Sequence, residues 1–518
     1  MLSPKPTSLP DACRQLALTL LAAALLCLPP TSQSAEFRKV HLLQTTDIHG
    51  TFTEDDGAAN GAWLRLATVI QAQRQRLGPD ASLLIDCGDT CQGSITATVS
   101  RGEASIAALR HLAYDVWVPG NHELDFGHRQ FAHLTEQAAD LILCGNLRLV
   151  DGPPLPAWKM FTRNGVDIAV IGATASYMKN WLLPTEAKQY HVETAAAQLT
   201  RILPEIHRAK PDVIVLAAHQ AWFEGRDPRN INEIASLAER FPDLDLILGA
   251  HSHRLIPGMR IGHRTWYVQT GCYAQYLGIV TLTVNTEANE VVDIASHTRQ
   301  ITHVDAEDAG LAQALRPWLE KARAERARVI APALAAPISA VGRPGSTCAT
   351  SELLCAAIAA AAQAPIVMHG RLTQKSLGRQ VTGADLFALV PYENTIILAD
   401  VTRAELEDII SEQWKYRDSY RFSGLYGARA QLNANGKATV LGIGKDEPPP
   451  ADDKRLTLAM NSHTAAGTGT FPMLLAILQK QETRMRDTGI STRQAVEDFL
   501  RQHPDQAITP FPWMTTEP

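Results

Sequence analysis

The sequence predicts an α/β protein with two domains joined by a helix, and three observations support this. The chain has 518 residues, of which 45% are hydrophobic and 20% are charged, a composition that suits two globular domains. From Arg38 to about Thr283, short apolar runs rich in β-branched residues alternate with longer amphipathic stretches. A charged, alanine-rich segment then separates this region from the rest of the chain.

The first 35 residues have the composition of a secretory leader. Lys5 and Arg14 precede an apolar run from Leu16 to Leu28, and a polar stretch that ends at Ala35 follows. The apolar run has about 13 residues, whereas a membrane-spanning helix needs roughly 20. We therefore expect residues 1–35 to be a signal peptide and the mature chain to be periplasmic or secreted, without a membrane span. An uncleaved N-terminal anchor is the alternative.

Seven apolar runs predict the strands of the first domain, which we assign to residues 36–304. Several runs are apolar at every position, as strands covered on both faces must be. The runs are Val40 to Gln44, Ser82 to Asp86, Val116 to Val118, Leu141 to Cys144, Ile168 to Ala173, Val213 to Ala218 and Leu244 to Leu248. They predict an α/β or α+β sandwich flanked by helices.

Residues 305–330 predict a connecting helix. The segment is rich in alanine, glutamate and arginine, which favour helices, and we expect one break, at Pro317. The stretch from Ala331 to Pro337 contains two prolines and little else, a change in composition typical of a domain boundary. Residues 331–518 therefore predict a second, smaller α/β domain.

Charge and cysteine content exclude some classes of function. With 48 Lys plus Arg against 54 Asp plus Glu, the chain carries a net charge of −6 and is not expected to bind a DNA or RNA polymer. The cysteines beyond the leader permit one or two disulfides in an oxidising compartment, with Cys348 and Cys355 as one conceivable pair. No Cys-x-x-Cys pair occurs, so a thiolate zinc site is not indicated.

Five of the predicted strands end next to side chains that bind metals. The carboxyl ends of strands in such sheets converge on one edge, where ligands bind. The candidate ligands are Asp47, His49, Asp89, Asn121, His219, His251 and His253. Any one of these histidines alone would more often be a core or surface residue, but seven groups exceed the needs of one ion. We therefore expect two divalent ions that share one carboxylate.

A pair of divalent ions suggests phosphoryl chemistry. Two ions about 3.5 to 4 Å apart can each hold a phosphoryl oxygen and activate a water for in-line attack on phosphorus. Imidazole and carboxylate ligands suit Zn, Mn, Fe or Co, so the sequence leaves the identity of the ions open.

The motifs at these strand ends resemble those of calcineurin-like metallophosphoesterases: Asp47-Ile48-His49, Gly88-Asp89, Gly120-Asn121-His122-Glu123, His219 and Gly249-Ala250-His251-Ser252-His253. More closely, the chain is similar to the exported bacterial 5'-nucleotidase family. The further motifs are Leu124-Asp125-Phe126-Gly127, Gln269-Thr270-Gly271 before Leu277-Gly278, Asp385-Leu386-Phe387 and Pro391-Tyr392-Glu393-Asn394-Thr395. The similarity covers about Arg38 to Phe471. It implies a metallophosphoesterase domain followed by a 5'-nucleotidase-like, substrate-binding C-terminal domain.

The resemblance implies a role for each candidate in the first domain. One ion would be held by Asp47, His49 and His253, the other by Asn121, His219 and His251, with Asp89 bridging the two. His122 would contact the phosphate and stabilise the charge of the transition state, while Asp125 holds its ring. A helix N-cap is the alternative for Asp125.

The resemblance also implies substrate contacts in the second domain. Arg371 aligns with an arginine that holds the phosphate or carboxylate end of the substrate, and Phe422 aligns with the first of two rings that sandwich a base. A second expected arginine is missing from residues 351–362, and Ser462 or His463 stands near the place of the second ring. We expect a weaker base preference as a result. The alternatives are a surface ion pair for Arg371 and ordinary core packing for Phe422.

The sequence as a whole predicts an exported dimetal phosphoesterase. Attack by a metal-activated water would convert a 5'-nucleotide to a nucleoside and phosphate. The partner would be this small-molecule phosphoester, and the protein would be a monomer or weak dimer. The alternatives are a cyclic-nucleotide or nucleotide-sugar phosphodiesterase and a dimanganese sulfur-oxidation hydrolase of the same architecture. A binding protein with structural metals is a further alternative, although such a site would not need His122.

Overall fold

The computed structural model describes residues 36–517 except 58–60, 225–230, 343–347, 420–421 and 468–469. The predicted signal peptide, residues 1–35, lies outside the described residues. Within the described ranges, no helix combines the length and the apolar character that crossing a bilayer requires.

The first domain consists of strands and helices that alternate along the chain. Its strands are β1 (Phe37–Thr45), β2 (Ser82–Asp86), β3 (Val116–Trp117), β4 (Leu147–Leu149), β5 (Trp158–Arg163), β6 (Val166–Ala173), β7 (Tyr190–Val192), β8 (Val213–Ala218), β9 (Leu246–Leu248), β10 (Leu255–Ile261), β11 (Thr265–Thr270), β12 (Tyr276–Asn285) and β13 (Glu290–Gln300). Its α-helices are α1 (Trp63–Leu77), α2 (Ile95–Ser100), α3 (Glu103–His111), α4 (His128–Gln137), α5 (Pro184–Ala187), α6 (Ala195–Ala209) and α7 (Ile234–Arg240). Short 3₁₀ helices occupy Glu54–Asp56, Pro79–Ala81, His122–Leu124 and Met178–Trp181.

Two sheets form the sandwich. One has the strand order β13-β12-β1-β2-β3 and the other β10-β11-β9-β8-β6-β5. Between them lies a core of buried aliphatic side chains from both sheets, including Leu42, Ile85, Val170, Val215 and Leu248. Strands β1, β2 and β3 run parallel to one another, as do β6, β8 and β9. Their carboxyl ends therefore lie at the same edge of each sheet.

Helices cover the outer faces of the sandwich. On the first sheet, Trp63 and Leu66 of α1 and Leu109 of α3 join a cluster that includes Leu43 and Leu84. On the second sheet, α6 and α7 pack on the outward side chains of β6, β8 and β9. The amphipathic stretches between the strands thus bury their apolar faces, and the predicted α/β class is confirmed.

The connecting segment contains one continuous helix, α8 (Ala309–Ala327). The predicted break at Pro317 is wrong, because the helix runs through this residue. Pro317 and Gln313, whose carbonyl loses its hydrogen bond to the proline, are both exposed, so water can satisfy that carbonyl. Arg326, near the end of α8, forms an ion pair with the buried Asp56 of the first domain.

The second domain contains strands β14 (Val329–Ala331), β15 (Ile366–Met368), β16 (Val381–Thr382), β17 (Thr395–Val401), β18 (Ala428–Leu432), β19 (Ala438–Ile443), β20 (Leu456–Asn461), β21 (Arg486–Ser491) and β22 (Met514–Thr516). Its helices are α9 (Ala349–Ala362), α10 (Gly383–Leu389), α11 (Arg403–Trp414), α12 (Ser462–Ala465), α13 (Pro472–Leu478) and α14 (Thr492–Gln502), with a 3₁₀ helix at Gln481–Thr483. The sheets have the orders β15-β20-β17-β21, β19-β18-β22 and β14-β16. The predicted residue boundaries of the two domains stay predictions.

Two local expectations are wrong. The run Leu141 to Cys144 forms only a single bridge, between Ile142 and Trp117, since the amide of Cys144 donates to the Pro156 carbonyl instead of continuing a ladder. The six cysteines of the described residues are free, and five of them are buried. Cys348 contacts the Ser351 hydroxyl and Cys355 donates to the His369 carbonyl, so these two thiols have separate partners.

Candidate active site

Six of the seven predicted ligands gather in two groups at the carboxyl edge of the sandwich. One group contains Asp47, His49 and His253, and the other contains Asp89, His219 and His251. Within each group the ligand atoms lie within 4.8 Å of one another. Asp47, His49 and Asp89 follow strands β1 and β2 of the first sheet. His219, His251 and His253 follow strands β8 and β9 of the second sheet. The site therefore lies across the edge of both sheets.

The backbone of these loops is left-handed at five ligand positions: Asp47, His49, Asp89, His251 and His253, with φ between 51° and 72°. Residues with a side chain adopt this conformation uncommonly, and such residues concentrate at functional sites. The tight loops turn each side chain inward directly after its strand. The ligands also pack closely around Gly120. A Cβ at this position would overlap Asp89 Oδ1 and His219 Cε1.

Two ligand imidazoles are held through Nδ1 by backbone carbonyls. Nδ1 of His49 lies 2.9 Å from the Gln92 carbonyl oxygen, and Nδ1 of His219 lies 2.7 Å from that of Cys87. Donation from Nδ1 leaves Nε2 as the basic nitrogen of each neutral ring. This is the arrangement by which proteins orient histidine ligands toward a metal.

Orphaned polar atoms show that the residues fit a pair of metal ions. Oδ1 of Asn121 is buried without a hydrogen-bond partner among the described residues, and the neutral Nε2 of His219 faces only the Asp89 carboxylate, 3.1 Å away, which is itself an acceptor. Nε2 of His49 and Nε2 of His253 lie 3.0 Å apart, close enough to bind the same ion. Buried acceptors without donors are costly unless a cation neutralises them. The donor set of imidazole nitrogens and carboxylate or amide oxygens suits Zn, Mn, Fe or Co.

The pKa values of some candidate ligands favour the protonation state that binds a metal, and those of others do not. Burial lowers the pKa of His49 to about 3, and burial with the positive charge of His219 lowers the pKa of His251 to about 3. His219 is the exception: burial alone would lower its pKa, but Asp89 raises it to about 9, so an ion would have to replace the proton on this ring. Neutral imidazole is the form that binds metal. Burial also raises the pKa of Asp47 to about 7. For Asp89 burial acts in the same direction, but the positive charges of His219 and His122 outweigh it and hold the pKa well below its usual range.

Glu123 organises the two loops that carry Asp89 and Asn121. Its side chain is fully buried, and its carboxylate accepts the backbone amides of Asp89, Thr90 and Cys91 at 2.6–2.9 Å. It also accepts the amide of Gly120. Glu123 belongs to the motif Gly120-Asn121-His122-Glu123, but no role was predicted for it from the sequence. A structural role could have been inferred for it, since an acidic residue inside a buried loop needs several hydrogen-bond donors.

His122 and Asp125 form a pair beside the ligands. Nδ1 of His122 lies 2.8 Å from Asp125 Oδ2, and its backbone amide donates to Asp89 Oδ1 at 2.8 Å. Burial alone would lower the pKa of His122, but the carboxylates of Asp125 and Asp89 raise it to about 10. Asp125 is not a helix N-cap, because Gly127 holds that position before α4. The pairing matches the arrangement that the resemblance implies.

A cavity of about 530 Å³ lies between the two domains and opens onto this pair. His122 and Asp125 line it from the first domain, and Arg371 and Phe422 line it from the second. The lining also includes His463, which stands near the place of an expected ring.

Arg371 and Phe422 are both nearly buried. Arg371 is 8% exposed, and its guanidinium donates to the carbonyls of Ala340 and Gly342. It is therefore not the surface ion pair that was the alternative. Phe422 is 3% exposed and packs edge-on against Trp414 at 5.9 Å, so it combines core packing with a place in the cavity wall.

Two residues of the site have no signal in the sequence. Gln92 holds His49 through its carbonyl, and its side-chain amide donates to the Pro391 carbonyl of the second domain at 3.0 Å. Trp181 stacks on His251, with ring centroids 5.2 Å apart and planes inclined by 24°. Both contacts join segments that are distant in the chain, and no local sequence pattern predicts them.

Comparison with known families divides the chain into two matched regions. Residues 40–255 match the calcineurin-like phosphoesterase family, and residues 329–476 match the 5'-nucleotidase C-terminal domain family. The first match contains all seven candidate ligands together with His122 and Asp125. The second match contains Arg371, Phe422 and His463.

Curated relatives are similar along most of the chain. The 5'-nucleotidase of Vibrio vulnificus is 23% identical over 520 residues, which cover 91% of this chain and 92% of that protein. Endonuclease YhcR of Bacillus subtilis is 20% identical over 494 residues, which cover 89% of this chain. This chain spans only 39% of the length of YhcR.

Solved structures share the fold. A Staphylococcus aureus protein described as a candidate 5'-nucleotidase, solved with alpha-ketoglutarate, has a TM-score of 0.79 at 18% identity and covers 93% of this chain and 100% of that chain. The sulfate thiohydrolase SoxB of Thermus thermophilus, solved with glycerol, has a TM-score of 0.63 at 17% identity and covers 94% and 97%. At these identities the similarity shows the two-domain architecture and no more.

Proposed function

Because the chain belongs to the 5'-nucleotidase family of phosphoester hydrolases, we propose that it releases phosphate from 5'-nucleotides with the help of two divalent ions. One observation carries the proposal. Asn121 and the His122–Asp125 pair line a cavity that the second domain also lines, and both ligand groups adjoin His122, whose ring lies 5.3 Å from that of His49 and whose amide donates to Asp89. A phosphate at the ligand groups would leave the rest of the ester in that cavity.

The ligand set supports a shared dimetal centre. Asp47, His49 and His253 would hold one ion, while Asn121, His219 and His251 would hold the other. Asp89 would serve both. When bound, the two ions would supply positive charge to the phosphoryl oxygens and make a water more acidic. The geometry leaves the choice among Zn, Mn, Fe and Co open.

His122 would act on the phosphoryl group directly. Its Nδ1 is engaged by Asp125 at 2.8 Å, so Nε2 is the remaining ring donor. The cation favoured by Asp125 and Asp89 would donate this hydrogen bond to an oxygen that gains charge as the ester bond breaks. Asp125 also prevents the ring from turning, which keeps the donor in place before the substrate arrives.

The second domain would bind the leaving group. Phe422 offers an apolar face to the cavity, and Arg371 adds positive charge to its wall while its hydrogen bonds to backbone carbonyls keep it in position. A nucleoside has both an apolar ring and polar sugar hydroxyls, which suits a cavity with mixed walls. Because His463 stands where a second ring was expected, we propose modest discrimination among bases.

The leader composition supports export. We propose that residues 1–35 are removed and that the mature chain acts in the periplasm or outside the cell as a monomer or weak dimer. Fractionation of expressing cells, followed by N-terminal sequencing of the recovered protein, tests this. A chain that stays in the cytosol with Met1 intact contradicts it.

The substrate assignment is tested with purified, metal-loaded protein. Rates are measured for AMP, a cyclic nucleotide, a nucleotide sugar and a simple aryl phosphate, with Mn or Zn added, and products are identified in each case. Asp89→Asn serves as the control for contaminating phosphatase. We expect the highest kcat/KM for AMP, with phosphate and adenosine as products.

Other outcomes would redirect the assignment. Faster cleavage of the cyclic nucleotide or the nucleotide sugar would identify a phosphodiesterase. Uniformly slow rates across all four substrates would mean that the second domain selects a different ester, which includes the sulfur-oxidation alternative.

A further inference from the structure

We propose that Trp181 of the first domain is a specificity residue that binds the flat ring of the leaving group, an inference that rests on the proposed hydrolysis of nucleotides. The proposed contacts to the leaving group, Arg371 and Phe422, both belong to the second domain. The structure instead gives the cavity an aromatic wall on the metal side.

The position of Trp181 sets it directly beside the reacting end of the substrate. Its ring stacks on His251, a candidate metal ligand, at 5.2 Å, and it also lines the cavity that holds His122. It is partly exposed, so part of the indole faces the cavity space. Tyr177 contacts the edge of the indole at 5.8 Å and an angle of 64°, which limits its rotation.

Trp181 belongs to a continuous apolar strip. Met178, Leu182 and Leu183 line the same cavity from the same short segment, which includes the 3₁₀ helix Met178–Trp181. Leu183 also packs against the hydrophobic cluster of the second domain, so the strip reaches from the metal ligands to the far wall. This segment therefore adds four apolar side chains to the cavity wall.

The second domain adds two aromatic rings to the same cavity. Phe422 and Phe471 of the second domain line the cavity, and each is 3% exposed. An ester group that enters between the strip and these rings loses water from both of its faces. A planar heteroaromatic base gains from this, whereas a small hydrophilic alcohol does not. The geometry therefore favours phosphoesters whose leaving group carries a flat ring.

Contact with His251 has a second possible consequence that the test must separate. Loss of the indole could disturb the metal ligand and slow every substrate equally. Recognition of a ring, in contrast, affects only substrates that have one. Comparing AMP with ribose 5-phosphate, which has the same phosphate and sugar without a base, distinguishes the two.

The experiment uses metal-loaded wild type, Trp181→Ala, Trp181→Phe and the control Trp158→Ala. We measure kcat and KM for AMP and ribose 5-phosphate, bound metal by elemental analysis, and adenosine binding by equilibrium dialysis. Trp158 is a matched control because it is a partly exposed tryptophan of the same domain, on β5, that does not line the cavity. We expect Trp181→Ala to lose roughly tenfold or more in kcat/KM for AMP and in adenosine affinity, as expected for a lost stacking contact.

The same variant should change ribose 5-phosphate turnover by no more than about twofold and keep its metal, and Trp181→Phe should retain most of the AMP preference. An equal loss for both substrates, or unchanged adenosine binding, overturns the proposal while leaving nucleotide hydrolysis intact. Failure of the proposed function is distinct, because the wild type would then show no preference for AMP over ribose 5-phosphate and no adenosine binding.

Discussion

Neighbouring residues of the site differ in what they touch, and this difference separates their roles. Asp89 lies 3.1 Å from His219 and belongs to a ligand group, whereas His122 is bonded to Asp125 and faces the cavity. Removing a shared carboxylate should release metal. Removing the imidazole should leave the metal in place and eliminate only a donor to the phosphate.

We expect Asp89→Asn to lose bound metal and turnover together. We expect His122→Ala to keep its metal and lose turnover by about 10²–10³-fold, the usual effect of removing one preorganised donor. Elemental analysis and AMP hydrolysis of both variants check this. The same loss of metal in the two variants would contradict the division of roles.

Glu123 should act through the loops that it supports. A glutamine keeps the size of the side chain but presents an amide NH₂ to backbone amides that are themselves donors, so at least one loop loses its acceptor. We expect Glu123→Gln to weaken metal affinity by about 10–100-fold, as observed for groups that orient metal ligands.

The affinity of Glu123→Gln is measured by competition with a chelating dye, with the exposed Glu136→Gln on α4 as the matched control. Circular dichroism distinguishes a folded variant with weak metal binding from an unfolded one. Wild-type affinity in Glu123→Gln would show that the loops hold their shape without the carboxylate.

At the scale of elements, one ion pair fastens the end of the connecting helix to the second domain. Arg328, directly after α8, donates to both carboxylate oxygens of Glu497 on α14, and Arg501 lies 2.9 Å from the same carboxylate. Hydrogen bonds from Arg328, with the added charge of Arg501, lower the pKa of Glu497. The folded state therefore favours the ionised form more than the unfolded state does.

The stability that Glu497 contributes should depend on pH. Because its folded pKa lies below the unfolded value of about 4.3, the contribution is present above that pH and is lost as the pH falls toward the folded pKa. We expect Glu497→Gln to reduce the free energy of unfolding by roughly 1–2 kcal/mol at pH 7, and the difference from wild type to shrink below about pH 4.3.

Urea unfolding between pH 7 and pH 3.5 checks this expectation. Glu320→Gln is the control, since its pair with Arg316 is 4.0 Å long and both side chains are mostly exposed. A wild-type advantage that stays constant over the whole range would exclude the ion pair as its source.

Elements whose character is local could be predicted from the sequence. The strands that precede the ligands are apolar on both faces, and β2 and β8 begin and end where the pattern predicts. The convergence of their carboxyl ends follows from parallel pairing. The predicted break at Pro317 is wrong because the free-energy cost of a proline inside a helix depends on whether the carbonyl four residues earlier is exposed. The sequence does not show this exposure. Gln92 and Trp181 were missed because their partners are tertiary.

At the scale of the whole molecule, the site connects the two sheets of the sandwich. Asp47 and Asp89 follow strands of one sheet, while His219 and His251 follow strands of the other. The backbone amide of His251 already donates to Asp47 at 3.1 Å. Ions shared by these residues would add further links between the sheets, so metal binding should stabilise the first domain as a unit.

We expect removal of metal by a chelator to lower the melting temperature by roughly 5–10 °C, the shift that about 3 kcal/mol of ligand binding produces in a domain of this size. Calorimetry of metal-loaded, chelated and reloaded protein checks this. Asp89→Asn is the control, because it should melt like the chelated protein and not respond to added Mn or Zn. Identical melting with and without metal would show that the sheets hold together without the ions.

The left-handed backbone at five ligand positions has a consequence for genetics. Residues held in that conformation relax when their restraint is lost, so a variant that fails to load metal should expose these loops to proteases. Such a variant would accumulate to a lower level in the cell. A failed complementation assay for a ligand position would then report abundance as well as chemistry, whereas a His122 variant would report chemistry alone.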